Sequence, residues 1–262
     1  MKALLLSDIH GNWPALQAVL SAEPDANRII CLGDLVNYGP QPVECVVWAM
    51  RLPAPNIVIQ GNEDRAFGLG KPPNCVSAHQ AAAEAVQRAT IPLLSSEMRR
   101  FLAELPRAKE FSLSGATCVA CHSTATNKEP LQARPGHPNK SWPWESDLIL
   151  VGHFDEPFVL IGHPNLLFLA YTHSPLKIDW MDTLVVNPGS VGKPCDGDPR
   201  AAYAVWEDGT VTLRRVEYDI EEAVRAYDGL PLAESIRTRL GEELRTGAHL
   251  REMAPAEALA GR

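Results

Sequence analysis

Apolar residues along this chain come in short unbroken runs rather than in strict alternation with polar ones. KALLLS (2–7), RIICLG (28–33), NIVIQG (56–61), TCVACH (117–122), DLILVG (147–152), NLLFLA (165–170), DTLVVN (182–187), AAYAVW (201–206) and TVTLRRV (210–216) are such runs. Continuous runs of this length predict strands covered on both faces. Helical patterns separate the early ones. WPALQAVLSAE carries Pro14 near a helix start, where the missing N–H costs nothing. PVECVVWAM, SAHQAAAEAVQRAT and SSEMRRFLAEL follow, with Ser77 and Ser95 placed as N-caps. Strand–helix alternation giving way to a strand-rich stretch predicts a layered α/β sandwich. Residues 123–146 are rich in Pro, Asn, Ser and Trp and read as a loop over the strand ends. From about residue 219, EEAVRAY and ESIRTRLGEEL predict helices, ahead of an Ala-rich tail expected to fray. The expected division is therefore a main unit, 1–218, and a C-terminal helical extension, 219–262.

Composition narrows the functional classes. Hydrophobic residues make up 45% and charged residues 21% of 262 positions, as in an ordinary globular protein. A formal charge of −8 disfavours non-specific binding to a nucleic-acid backbone. No apolar run approaches the roughly 20 residues of a membrane span. The opening MKALLLSDIHGN lacks the pattern of a signal peptide, so a cytoplasmic location is expected. Six cysteines in a chain this long do not form a disulfide framework. Residues 118–122, CVACH, match the C-x-x-C-H pattern of covalent haem attachment. The competing reading is a strand whose cysteines fill core volume, and it is favoured because haem attachment normally requires export.

Polar residues collect just after the apolar runs. Asp8 and His10 follow the first, Gly33-Asp34 the second, Gly61-Asn62-Glu63-Asp64 the third, His122 the fourth, and His173 follows NLLFLA. Ligands of α/β sheets gather outside the carboxyl ends of strands. An aspartate in such a place is most often a turn former, and a lone histidine most often a hydrogen-bonded surface residue. As a set, carboxylates, an amide oxygen and imidazoles suit Mn, Fe or Zn and suit soft thiolate chemistry poorly. Asp34, with two oxygens, can bridge two ions about 3.5–4 Å apart, the spacing of two-metal phosphoester hydrolysis.

The ordered series Asp8-x-His10, GDLVNYG (33–39), GNED (61–64), His122 and AYTHSP (170–175) resembles the calcineurin-like metallophosphoesterase superfamily. VVNPGSVGKPCDGDPRAAYAV (185–205) is similar to its small prokaryotic branch. The resemblance implies a four-layer α/β/β/α sandwich binding one or two divalent transition metal ions (Mn, Fe, Zn or Ni). It also implies hydrolysis of a small phosphorylated substrate, a phosphomonoester or a phosphodiester, by a metal-bound hydroxide. Carried over by position, Asp8, His10, Asp34 and His173 hold the first ion. Asp34, Asn62, His122 and the residue at 171 hold the second.

Three positions depart from the family pattern. Glu63 stands where a histidine near the leaving group is usual, and Cys195 where an arginine is expected. Tyr171 stands where the first histidine of G-H-T-H is usual, and neutral tyrosine is a poor ligand for Mn or Zn. Three readings of position 171 are open: a weakened second site, a substitute ligand from His153 or His163, or lost catalysis. Glu63 serves as proton donor only if burial raises its pKa well above 4.3. The alternative to an enzyme is a non-catalytic metal- or phosphate-ligand-binding protein on the same fold.

Overall fold

The predicted strand runs all contain strands, and the reason they are continuous rather than alternating is visible in the first. In the computed structural model, Ala3 and Leu5 of β1 (Lys2–Leu6) enter one buried cluster while Leu4 and Leu6 enter another, so both faces of the strand are covered. The structure describes residues 1–73, 77–123, 145–163, 166–170, 176–177 and 183–248. After β1 come β2 (Arg28–Cys31), β3 (Ile57–Val58), β4 (Ala108–Leu113), β5 (Ala116–Cys121), β6 (Leu148–Leu150) and β7 (Phe158–His163). The series ends with β8 (Leu166–Ala170), β9 (Leu176–Lys177), β10 (Thr183–Asn187), β11 (Ala201–Glu207) and β12 (Thr210–Val216). The helices are α1 (Trp13–Ala22), α2 (Pro42–Met50), α3 (Asn62–Leu69), α4 (Ser77–Thr90), α5 (Ser96–Glu104), α6 (Ile220–Arg225) and α7 (Glu234–Thr246).

Two six-stranded sheets form the centre of an α/β sandwich, in the orders β3-β2-β1-β11-β12-β9 and β4-β5-β6-β10-β7-β8. Leu5, Ile30 and Trp206 of the first meet Leu150 and Val186 of the second in the core between them. The outer face of the first sheet packs its Leu4 and Leu6 on Leu16 and Val19 of α1, Val46 of α2 and Leu102 of α5. Asn12 starts α1, its Oδ1 accepting from Ala15 N at 3.2 Å, and Ser95 caps α5 as expected.

Two features of the parallel strands position the site. β1 and β2 are parallel, and β6 runs parallel to both β5 and β10. The carboxyl ends of β1, β2, β5 and β6 therefore open toward one edge, where the loops gather.

The CVACH segment lies on β5. Cys118 faces the core between the sheets, whereas Cys121 belongs to the cluster on the outer face of the second sheet. Residues three apart on a strand point to opposite sides, so the two thiols cannot hold one haem. The strand reading holds.

The C-terminal helices share a buried cluster with the main unit: Tyr227, Leu240 and Leu244 pack with Ala83 and Val86 of α4 and with Tyr38. No helix among the described residues is long and apolar enough to cross a membrane. The loop at 124–144 and the Ala-rich tail, 249–262, lie outside the described residues.

Candidate metal centre

Each element delivers its polar residue immediately past its last buried apolar position. Asp8 and His10 turn off β1, Asp34 off β2, Asn62 begins α3 just after β3, His122 directly follows β5, and His153 and Asp155 follow β6. The turns are tight enough to force left-handed backbone: φ is +53° at Asp8, +49° at His10, +56° at Asp34, +74° at His153 and +58° at Asp155. Main-chain bonds lock the neighbouring turns together, with Asp8 N donating to Gly33 O and His10 N to Asp34 O. Gly152 allows the closest approach. A Cβ there would overlap Ser7 Oγ and stand 3.1 Å from His122 Nδ1 and 3.2 Å from Asp8 Oδ2.

The donors form two groups in which the potential ligand atoms all lie within 4.8 Å of one another: Asp8, His10 and Asp155, and Asp34, His122 and His153. In the first, His10 Nε2 is 3.8 Å from an oxygen of Asp8 and 3.8 Å from one of Asp155. In the second, His122 Nε2 is 3.3 Å from Asp34 Oδ2 and 3.2 Å from Asn62 Oδ1, and His153 Nδ1 is 2.9 Å from that same Asn62 oxygen. The groups adjoin: His122 Nε2 is 4.0 Å from Asp8 Oδ1, and the His153 amide donates to Asp8 Oδ2 at 3.0 Å.

Surrounding hydrogen bonds fix which atoms face inward. His10 Nδ1 donates to Val36 O and His122 Nδ1 to Leu32 O, leaving each Nε2 toward the carboxylates. Asp64 accepts from the backbone amides of Asp34, Leu35 and Gly61 and holds that turn rigid. Glu63 is buried, and both its oxygens accept amide donors, Oε1 from Asn62 Nδ2 at 2.8 Å and Oε2 from Asn37 Nδ2 at 2.6 Å. It orients the Asn62 carbonyl oxygen toward the two imidazoles.

The electrostatics describe a site short of positive charge. Burial, with Asp155 and Asp34 nearby, pushes Asp8 up to about 7. Burial and the Asp34 charge push Glu63 up to about 7. Burial would also raise Asp34, but His122 and His10 outweigh it and bring it down to about 2. Burial disfavours the imidazolium of His10, yet Asp155, Asp34 and Asp8 lift it to about 9. His122 rises to about 10 by the same balance, with Asp34 foremost. Buried carboxylates and imidazoles that compensate one another by proton sharing are the donor set a divalent cation would satisfy, so the residues fit such ions.

Five of the sequence-predicted residues, Asp8, His10, Asp34, Asn62 and His122, come together here, with His153 beside them. Tyr171 and His173 lie outside the described residues. Asp155 went unnoticed in the sequence, although GHFDEP follows the DLILV run as a glycine, a histidine and a second polar group at the ligand-bearing spacing. Cys195 Sγ is 3.8 Å from Asp155 Oδ2, and burial pushes its thiol pKa up, so it is not a thiolate ligand.

Comparison with known proteins agrees with this geometry. Residues 1–208 match the model of the calcineurin-like phosphoesterase superfamily domain. An uncharacterised protein of Methanocaldococcus jannaschii, MJ0912, is 33% identical over 236 residues, covering 84% of this chain and 88% of its own. The crystal structure of a metallophosphoesterase from Sphaerobacter thermophilus superposes with a TM-score of 0.73 at 32% identity, over 93% of this chain and 100% of that one. The hypothetical protein PH1004 of Pyrococcus horikoshii shares the fold, with a TM-score of 0.70 at 20% identity over 95% of this chain and 99% of its own.

Proposed function

The chain belongs to the calcineurin-like phosphoesterase superfamily, and from that premise we propose that it is a metal-dependent hydrolase of small phosphomonoesters or phosphodiesters. What carries the reading is the pair of adjoining donor groups, with Asp34 and Asp8 at their junction. We infer that Asp8, His10, Asp34 and Asp155 hold a first ion, and that Asp34, Asn62, His122 and His153 hold a second. Asp155 and His153 thus take the parts that the sequence resemblance gave to His173 and residue 171, and the unfavourable tyrosine ligand is no longer needed. The three-carboxylate first set favours Mn or Fe, and the two-imidazole second set also suits Zn or Ni. When bound, such ions lower the pKa of water to near neutrality and polarise phosphoryl oxygens.

The chain's own residues do the rest. Asp34 is held ionised by the imidazoles around it, and the Glu63 amide donates to its Oδ1 at 2.9 Å, so its two oxygens are aimed apart. Burial lifts Glu63 to about 7, as a proton donor requires, but each of its oxygens faces an amide N–H donor, so in this pose it orients Asn62 rather than presenting a proton to a leaving group. Esters whose leaving groups depart without protonation should therefore turn over fastest. The described cysteines are all free thiols, in keeping with a cytoplasmic, reducing setting.

Aryl phosphate monoesters and diesters, assayed after Mn loading beside an Asp34→Ala variant, test the reading. Loss of at least about a hundredfold in the variant is expected, and equal rates in the two proteins contradict it. Occupied Glu63 oxygens also favour a second reading, a binder that loads metal but does not turn over. Full metal stoichiometry with no hydrolysis of any aryl ester would select it.

A further inference from the structure

Glu63 orients Asn62, and Glu63 is in turn held by Asn37, a side chain outside both metal groups. Asn37 is fully buried, and it and Tyr38 are consecutive left-handed residues, with φ of +70° and +60°. Its Oδ1 accepts from the Tyr38 amide at 2.9 Å. A backbone N–H can only donate, so this contact fixes which way the Asn37 amide faces. Its Nδ2 is therefore the end turned to Glu63 Oε2, at 2.6 Å. The other Glu63 oxygen, Oε1, takes Asn62 Nδ2 at 2.8 Å, which leaves Asn62 Oδ1 toward His122 and His153.

The loop that carries Asn37 is itself anchored. Tyr227, buried just past α6, donates its hydroxyl to Tyr38 O at 2.8 Å, and Gly39 N donates to His10 O at 2.8 Å. The bond from Asn37 Oδ1 to the Tyr38 amide is one that an asparagine makes in many turns. A turn does not need the Asn37 nitrogen buried against a carboxyl group. That nitrogen ties the anchored loop to the donors around Asp34 and His122.

We propose that Asn37 is a positioning residue for the second ion, setting the Asn62 oxygen through Glu63. This rests on the reading of Asp34, Asn62, His122 and His153 as one ion's ligands, and deepens it. Asn37 bonds to Glu63 and to the Tyr38 amide rather than to a ligand, so it acts only through what it orients. Outer partners of this kind change metal affinity by about ten- to a hundredfold.

The test is titration of the metal-free full-length chain with Mn, followed by elemental analysis and by EPR, with Tm measured for every variant. EPR distinguishes a lone bound ion from a spin-coupled pair. Asn37→Ala should weaken one ion by about tenfold or more and leave the other within about twofold of wild type. Asn62→Ala should lose the same ion, and adding Asn37→Ala to it should cost nothing further, because the one acts through the other. A residue serving only the fold would lower Tm and weaken both ions alike. Unchanged affinity for both ions in a folded Asn37→Ala protein overturns the proposal, as do equal losses of the two ions or additive losses in the double variant. If Asn37→Ala does not fold, Asn37→Asp decides by the same criteria, since it keeps the contact to the Tyr38 amide but sets an oxygen against Glu63. Any of these overturning results beside wild-type hydrolysis of aryl esters leaves the phosphoesterase reading standing. A wild-type protein that takes up one ion at saturating Mn defeats the two-ion reading and this proposal with it.

Discussion

Five of the candidate ligands, Asp8, His10, Asp34, His153 and Asp155, sit in left-handed backbone, which costs a residue bearing a side chain about 1–2 kcal/mol each. Among the described residues, non-glycine positive φ also occurs at Asn37, Tyr38, Ser114 and Asp208, so the five share this strain as a group without being its sole bearers, and His153 and Asp155 join the three residues legible beforehand. The same cluster predicts a proton-coupled equilibrium. With His10 lifted to about 9 and His122 to about 10, both imidazoles are protonated at pH 7 in the metal-free protein. A metal takes the neutral imidazole, so binding must expel those protons and apparent affinity should rise as pH increases from 6 toward 9. Asp8, lifted to about 7, is partly protonated as well, so calorimetry in buffers of different ionisation enthalpy should report release of about two to three protons per chain at pH 7. Release of none would show that these histidines are not ligands.

At the scale of elements, the site is a property of strand ends meeting. β6 lies between β5 and β10, so the turn after it is carried to His122 and Asp8, and Gly152 makes that approach possible. Gly152→Ala should destabilise the fold by about 1–3 kcal/mol and lower metal content, because the new methyl must displace Ser7, His122 or Asp8. Thermal melts and elemental analysis check this, and unchanged values would mean that the turn is looser than described.

Most of the buried strands were readable because two covered faces leave an unbroken apolar run, although β7, whose FVLIG is such a run, was not picked out. β4 was not, since its AKEFSL alternates charge with apolar residues. α3 was hidden as well, because its first turn, Asn62-Glu63-Asp64, reads as site chemistry rather than helix. Asp8, His10, Asp34, Asn62 and His122 were legible because each follows a strand directly. His153 was read only as a possible substitute ligand, and a long stretch separates it from NPGS. That stretch includes β7 and β8, which pair antiparallel beside β10 in the second sheet, and β9, which pairs with β12 at the edge of the first. No local pattern announces such an insertion.

On the whole-molecule scale, the first sheet is pinned far from the site by Glu23. This buried carboxylate meets Lys2 Nζ at 2.7 Å, accepts from Tyr203 Oη at 3.0 Å and pairs with Arg214. Burial works to raise its pKa, but Lys2, Arg214 and Tyr203 together bring it below the ordinary 4.5. A depressed folded-state pKa contributes stability above the unfolded value, and that contribution is lost as pH falls through the folded one. Glu23→Gln should therefore cost about 1–3 kcal/mol at pH 7, and the difference from wild type should shrink below pH 4. Urea titrations at the two pH values would reveal it, and a difference that grows in acid would reverse the assignment.

Metal content per chain after Mn loading and desalting tests most directly which side chains complete the metal centre. His153→Ala and Asp155→Ala should each lose bound metal, whereas His173→Ala should keep the wild-type amount. Loss in the His173 variant, with His153→Ala and Asp155→Ala fully loaded, would contradict the assignment of His153 and Asp155.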